Sequence, residues 1–322
     1  MKILVTGATG FLGRCVVARL SGAHEVVAMT RRAGTSIEGA TSVVVGDVLQ
    51  PETLAAAMDG VDVLVHSAGL VSHRPEDAEA CWKVHVAGTE NALQAARTAG
   101  IPRVVYLSTS GTVAVSHKDE VRDERAADPL MLIRSWPYYR SKYFAEQIAL
   151  KHSGDGMDVV CLNPSLLLGP GDPTGDSTRP VRLFLEDQVP AAPPGGLSFV
   201  DVRDVAEAVE AALTRGQGGR RYLLGGANMA FGDFYARLAR ISDKAAPPVL
   251  PLVTRKALKW LPKLGEDGMP FARALDRYEL EIASRYWYLD HSRATSELGW
   301  TPRNPMFTLE DTVADLLDRR AW

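Results

Sequence analysis

Thr6-Gly7-Ala8-Thr9-Gly10-Phe11-Leu12-Gly13 follows the apolar run Ile3-Leu4-Val5, and this stretch decides the fold. A short strand-like segment feeds through three glycines into Phe11–Leu20, whose apolar residues recur at helical spacing. Glycines in such a turn permit a tight bend, let backbone amides approach a pyrophosphate, and allow close packing of helix on strand. The helix N-terminus adds an attraction for negative charge. The spacing is G-x-x-G-x-x-G, not G-x-G-x-x-G, but the strand before and the helix after supply the context that a dinucleotide site requires. Gly7, Thr9, Gly10, Phe11, Leu12 and Gly13 are therefore candidate cofactor-binding residues.

Outward from the glycines, the first half of the chain alternates β-branched runs with helical patterns. Strands are expected at Lys2–Thr6, Glu25–Thr30, Ser42–Val45, Val61–His66, Arg103–Ser108 and Asp158–Leu162, and helices at Phe11–Leu20, Pro51–Met58, Glu76–Ala99 and Pro137–Lys151. This alternation predicts an α/β fold with a doubly wound parallel sheet of the Rossmann type. After Pro164 glycine and proline cluster, through Gly169–Gly175 and Pro190–Gly196, and strand-like runs become sparse. Residues 1–165 are read as a dinucleotide-binding domain and 166–322 as a smaller, mostly helical, discontinuous substrate lobe interleaved with it. Short pieces near 198–225 and 287–290 (Ser198–Val202, Tyr222–Leu224 and Trp287–Leu289) are expected to return to the sheet.

At 322 residues, 46% hydrophobic and 23% charged, the chain has room for about two globular domains. Lys+Arg 36 against Asp+Glu 39 leaves a net charge of −3 with no basic tract, which argues against a nucleic-acid partner. Cys15, Cys81 and Cys161 are odd in number and far apart, so neither a disulfide framework nor a metal site is indicated, and a reducing compartment fits. Lys2 and three apolar residues are too short for a signal-peptide core, and every apolar run stops well before the ~18 residues of a membrane span. A cytoplasmic location is expected.

The second strand ends Met29-Thr30-Arg31-Arg32. An NAD site would carry an acid about 20 positions beyond the glycines to hold the ribose hydroxyls. Here Arg31 and Arg32 stand where a 2′-phosphate would sit, which favours NADP, with NAD as the alternative. Asp47-Val48 after the third strand could hold the adenine, or Asp47 could simply cap its turn. Ser67-Ala68-Gly69 after the fourth could let backbone pass beside the cofactor phosphates and ribose, or form a purely structural turn.

Pro137-Tyr138-Tyr139-Arg140-Ser141-Lys142 opens a helix, and Tyr138 and Lys142, at i and i+4, share one face. A phenol of pKa ~10 is a poor acid-base group at neutral pH, but an adjacent ammonium and an oxidised nicotinamide favour its phenolate. Tyr138 could then exchange a proton with a substrate oxygen while Lys142 also binds the ribose. The fifth strand ends Leu107-Ser108-Thr109-Ser110-Gly111, placing hydroxyls at the carboxyl edge of the sheet. Ser110 is the candidate for the hydroxyl that bonds the reacting carbonyl, with Ser108 and Thr109 as alternatives.

Together the glycine motif, the Ser110 region, PYxxSK, Asn163-Pro164-Ser165, Val200–Val205 and Ser296-Glu297-Leu298-Gly299-Trp300-Thr301-Pro302 resemble the extended short-chain dehydrogenases/reductases, the epimerase/dehydratase-like group, over essentially the whole chain. The resemblance implies a serine-tyrosine-lysine site: Tyr138 as general acid/base, Lys142 lowering its pKa, Ser110 polarising the carbonyl, and Pro164-Ser165 near the nicotinamide, with Ser108 also beside the cofactor. One departure is His85-Val86-Ala87-Gly88-Thr89, where the group usually has Asn-Val-x-Gly-Thr. His85 either replaces the asparagine in a proton relay through water or is a packed structural residue.

Gly111-Thr112 stand where dehydratases of this group carry Asp-Glu, so dehydration is not expected. Val113-Ala114-Val115 and Asn163-Pro164 differ from the Val-Tyr-Gly and Arg-Pro of sugar-nucleotide epimerases, and resemble dihydroflavonol reductase-like, 3β-hydroxysteroid dehydrogenase-like and hopanoid-associated epimerase-like relatives. This implies hydride transfer to or from a ketone or secondary alcohol on a mainly apolar or aromatic small molecule. Met131-Leu132-Ile133, Trp136, Trp260, Met269, Phe271 and Tyr286-Trp287-Tyr288 could line its pocket, or be core. Thr254–Lys263, with Arg255, Lys256, Lys259 and Lys263 around Leu258, Trp260 and Leu261, could touch an anionic membrane surface or be an ordinary solvated helix face. Two other readings stay open: an epimerase with tightly bound cofactor, and a non-catalytic redox sensor, against which the retention of Tyr138 and Lys142 speaks. The chain is expected to act as a homodimer or monomer.

Overall fold

The protein is described by a computed structural model covering residues 1–72, 74–250 and 281–319. Six strands, β1 (Lys2–Thr6), β2 (Glu25–Thr30), β3 (Ser42–Val45), β4 (Val63–His66), β5 (Arg103–Leu107) and β6 (Asp158–Pro164), alternate with helices α1 (Phe11–Leu20), α2 (Pro51–Ala57), α3 (Ala78–Trp82), α4 (Gly88–Thr98), α5 (Leu130–Ile133) and α6 (Pro137–Lys151). Then come β7 (Leu166–Leu168), α7 (Arg179–Leu185), β8 (Gly196–Asp201), α8 (Val202–Ala212), β9 (Arg221–Leu224), β10 (Ala227–Ala230), α9 (Phe231–Ser242) and α10 (Pro305–Asp318). The main sheet has the order β3-β2-β1-β4-β5-β6-β9, parallel throughout.

Residue alternation explains why helices cover both faces. Ile3, Val5, Val63, Val65, Val105 and Leu107 point to one side and pack with Val16, Val17 and Leu20 of α1 and Val205 and Val209 of α8. Leu4, Leu64, Val104 and Tyr106 point to the other and pack with Leu54 of α2, Leu93 of α4 and Ala145 and Ala149 of α6. Chain order reverses between β1 and β4, and the crevice at such a switch point, outside the carboxyl ends of the strands, is where open α/β sheets bind ligands.

Three differences from the sequence reading concern individual elements. The segment at 198–202 does not rejoin the main sheet: β8 pairs with β7 and β10 in a separate three-stranded sheet. Its alternation serves two cores, Leu197 and Phe199 facing the lobe and Val200 the main sheet. Only the 221–224 piece, β9, extends the main sheet, beside β6. Around 287–290 no strand forms, and Tyr286 and Leu289 make isolated bridges to Ser116, Gly196 and Arg122. The expected helix over 76–99 is broken into a 3-10 turn (Pro75–Asp77), α3, a π turn (Lys83–Ala87) and α4. Trp260, Met269, Phe271 and the Thr254–Lys263 segment lie outside the described residues. No helix among the described residues is long and apolar enough to cross a membrane.

Candidate active site

A cavity of about 770 Å³ opens at the switch point and runs on into the lobe. Its floor is the turn after β1. Gly7 has φ +70, and a Cβ there would stand 2.6 Å from Ser67 O; a Cβ on Gly13 would stand 2.1 Å from Gly7 O. Gly10 caps α1 with no side-chain hydrogen bond and the first turn holds no acid, so the leading N–H groups of the helix are left for an anion. Thr9, Phe11 and Leu12 line the cavity with the three glycines. This concave backbone, with no room for side chains, fits a dinucleotide pyrophosphate.

Thr6 and His66 hold that turn in place. Thr6 Oγ1 accepts from the Ser67 and Ala68 amides, each at 3.2 Å, and lies 2.8 Å from His66 Nδ1. Ser67, Ala68 and Gly69 line the cavity beside the glycines, as do Asp47 and Val48. Asp47 Oδ1 accepts from Leu49 N at 2.9 Å, so the carboxylate caps its turn as well as facing the cavity. Arg31 lies on the cavity wall, whereas Arg32 is not among the residues that line it, and its backbone carbonyl accepts from Thr30 Oγ1 and Thr35 Oγ1, each at 2.9 Å.

Ser108, Ser110, Tyr138, Lys142, Pro164 and Ser165 share the same cavity. Ser108 Oγ donates to buried Glu146, and Thr109 Oγ1 accepts from Gly111 N at 3.3 Å, so of the three hydroxyls Ser110 is the one that no described residue engages. Lys142 Nζ donates to Leu107 O at 2.5 Å and Tyr106 Oη at 3.1 Å, which leaves its third N–H for a ligand. Burial pulls the lysine down to about 8, with Glu146 opposing. Burial pushes the Tyr138 phenol up to about 12, with a hydrogen bond to Thr109 opposing. Desolvation thus sets the direction of the Tyr138 shift within the protein, opposite to the lowering by Lys142 that the resemblance implied, and Lys142 is not among the groups that move the phenol. Ser165 Oγ, with Ser198 Oγ from β8, is buried on the cavity wall without a hydrogen-bond partner among the described residues, as expected of groups that meet a bound molecule.

Residues 3–225 match the NAD dependent epimerase/dehydratase family. The chain belongs to this family. Membership makes it an NAD(P)-dependent enzyme of the extended short-chain dehydrogenase/reductase type. Among its relatives, the chain is 32% identical to a putative dihydroflavonol 4-reductase of Synechocystis sp. over 97% of its length and 92% of the relative's. It is 31% identical to a 4-hydroxy-2-methyl-3-oxo-4-farnesyl-3,4-dihydroquinoline-1-oxide ketoreductase of Stigmatella aurantiaca, over 94% of this chain and 92% of that one. A nucleoside-diphosphate-sugar epimerase from Pseudomonas aeruginosa has the same fold, with a TM-score of 0.81, 22% identity and coverage of 99% and 98% of the two chains.

Within this family fold, His85 stands where the asparagine of the family pattern was expected, and both its ring nitrogens are engaged. Leu70 N donates to Nε2 at 3.0 Å, so the ring proton sits on Nδ1 and is donated to Ser141 Oγ at 2.8 Å; Ser141 in turn donates to Tyr138 O at 2.9 Å. Burial holds this histidine neutral, its pKa down to about 2. The π turn that carries it ties α6 to the loop after β4. Of the aromatic and aliphatic residues considered for the lobe, Trp287 lines the cavity together with Tyr139, while Ile133 and Trp136 are core and Met131 is exposed. The sequence reading missed the apolar wall opposite: Leu166, Leu183, Val189, Leu197, Phe231 and Tyr235. It also missed Glu146, although its spacing, four residues beyond Lys142 on the face of Tyr138, was a usable signal.

Proposed function

We propose that the protein is an NADP-dependent reductase or dehydrogenase that transfers a hydride to or from a ketone or secondary alcohol on a mainly apolar small molecule in the cytoplasm. The observation that carries this reading is the continuity of one cavity from the glycine cradle and Arg31, past Ser110, Tyr138 and Lys142, to the apolar lobe wall. When bound there, the dinucleotide would supply or take the hydride. Ser110 donates a hydrogen bond to the carbonyl oxygen. Tyr138 holds its proton at neutral pH, because burial keeps the phenol near 12, and delivers it to that oxygen as the alcohol forms. Lys142 holds the nicotinamide ribose with the N–H that Tyr106 and Leu107 leave over. Arg31 meets the 2′-phosphate. The reductase names of the relatives and the apolar wall support a ketone over a sugar nucleotide.

Screening carbonyl and alcohol substrates at the nicotinamide absorbance tests this. The expected result is net oxidation of NADPH or reduction of NADP. Tightly held cofactor with sugar isomers interconverting and no net change would establish an epimerase. Cofactor binding with no turnover of either kind would establish a sensor.

A further inference from the structure

Glu146 is fully buried on α6, four residues past Lys142 and eight past Tyr138. Burying a carboxylate costs several kcal/mol unless charges and donors surround it. Three hydrogen-bond donors and one guanidinium converge on this one. Oε2 accepts from Ser108 Oγ, from Thr112 Oγ1 at 2.7 Å and from Asn163 Nδ2 at 2.7 Å, and Oε1 lies 3.1 Å from Arg221 Nε. These partners come from the end of β5, the 3-10 turn Ser110–Thr112, β6 and β9. Ser108 and Thr112 bracket Ser110, and Asn163 Nδ2 also donates to Thr109 O at 3.1 Å. One helix face therefore holds the turn of Ser110 in register with Tyr138 and Lys142.

We propose that Glu146 is a positioning residue, a buried carboxylate that clamps the Ser108–Thr112 turn onto α6 and acts as the fixed counter-charge of Lys142. The inference rests on the reading of Ser110, Tyr138 and Lys142 as a proton-transfer site. Other titratable groups face Lys142 from every side: Tyr138 on α6, Tyr106 on β5, Cys161 on β6, His66 on β4 and His85 on the π turn. Burial pushes Tyr106 and Cys161 up and the two histidines down, to about 3 and about 2, so all four are neutral near pH 7, as is Tyr138. Glu146 is the carboxylate whose charge favours the Lys142 ammonium.

The test is a pH titration of the full chain carrying lysines labelled with carbon-13 at Cε, read by NMR, the Lys142 signal being identified by its loss in Lys142→Met. Glu146→Gln should lower the Lys142 midpoint by about 1 to 2 pH units; an unchanged midpoint would overturn the counter-charge role. Should that variant not fold, Arg221→Gln takes its place: losing the competing cation must raise the midpoint, and an unchanged one overturns the proposal. Glu146→Asp keeps the charge but shortens the clamp, so the midpoint should stay while kcat falls about 10- to 100-fold at unchanged NADPH affinity. Full turnover in that variant would overturn the clamp. A wild-type protein that turns over no carbonyl or alcohol would sink the functional reading, and the lysine titration would still decide on Glu146.

Discussion

The ring of Tyr139 lies against the backbone of Gly111, so closely that a Cβ on Gly111 would stand 2.3 Å from Tyr139 Cδ1. The ring cannot retreat, because Trp287 and Trp136 lie behind it with centroids at 4.9 and 5.9 Å. The glycine found where dehydratases carry an acid thus has a packing consequence: it admits an aromatic wall to the cavity. Gly111→Ala should cost about 1–3 kcal/mol of stability by overpacking and raise the KM of a carbonyl substrate while leaving NADPH affinity unchanged. Urea unfolding and steady-state kinetics measure both, and a variant as stable as wild type would contradict this packing.

The same contact separates the roles of two adjacent tyrosines. Tyr139 belongs to the Trp136–Trp287 cluster, whereas Tyr138 sits edge-on to His85 with centroids 5.5 Å apart, on the helix face whose Ala145 and Ala149 are buried against the sheet. Tyr138→Phe should lower turnover by roughly a hundredfold to ten-thousandfold, with NADPH binding retained through Lys142. Tyr139→Phe should keep its ring contacts and most of its turnover. The reverse pattern would show that the proton is carried by Tyr139.

These assignments differ in how far the sequence alone carried them. Glycines, the alternation of Ile3-Leu4-Val5 and the i, i+4 pair of Tyr138 and Lys142 are local signals, and local signals were readable. Pairing partners of short strands were not: β8 resembles a returning strand, but whether it joins β9 or β7 depends on which core Phe199 reaches. Nor could spacing show that Asp47 caps its own turn, that Arg31 but not Arg32 lines the cavity, or that Glu146 meets Arg221, 75 residues further along the chain. Such facts arise from tertiary approach, which a single sequence does not encode by period.

Arg31 and Arg32, equivalent by sequence, differ in place. Arg31 lines the cavity and Arg32 does not, its backbone N–H and carbonyl being bonded to Thr30 Oγ1. A charge-assisted hydrogen bond to the extra phosphate is worth ~1.5 kcal/mol, roughly tenfold in affinity. Arg31→Ala should weaken NADPH by about that factor and NADH very little, while Arg32→Ala should do less to either. Fluorescence titration of both nucleotides with both variants checks this, and equal affinities of wild type for NADPH and NADH would refute the preference.

Lys142 sets an alkaline limit. Its ammonium holds the ribose, and burial brings its pKa down to about 8, whereas Tyr138 keeps its proton to about 12. NADPH affinity and reductive turnover should therefore fall as pH rises through about 8, well before the phenol ionises. A profile flat to pH 10 would mean that the lysine charge is not needed for binding.

Acid should act on stability through two buried histidines. His66 lies between Thr6 Oγ1 at 2.8 Å and Thr89 Oγ1 at 3.2 Å, and His85 between Leu70 and Ser141; burial lowers them to about 3 and about 2. Unfolded, each would take up a proton near pH 6.5. The unfolded chain thus binds more protons than the folded one from pH 6.5 down to about 3, and stability must drop as pH falls across that window, by about 1.4 kcal/mol per unit for each histidine. Between pH 7 and pH 5 the pair accounts for a loss of about 4 kcal/mol, the slope reaching its full value only below pH 6.5. Urea unfolding at pH 7 and pH 5 measures it. His85→Asn removes one of the two protons and should roughly halve the part of the slope owed to this pair, even if the variant is less stable at pH 7. A slope unchanged in both His85→Asn and His66→Gln would mean that neither ring is held neutral by the fold.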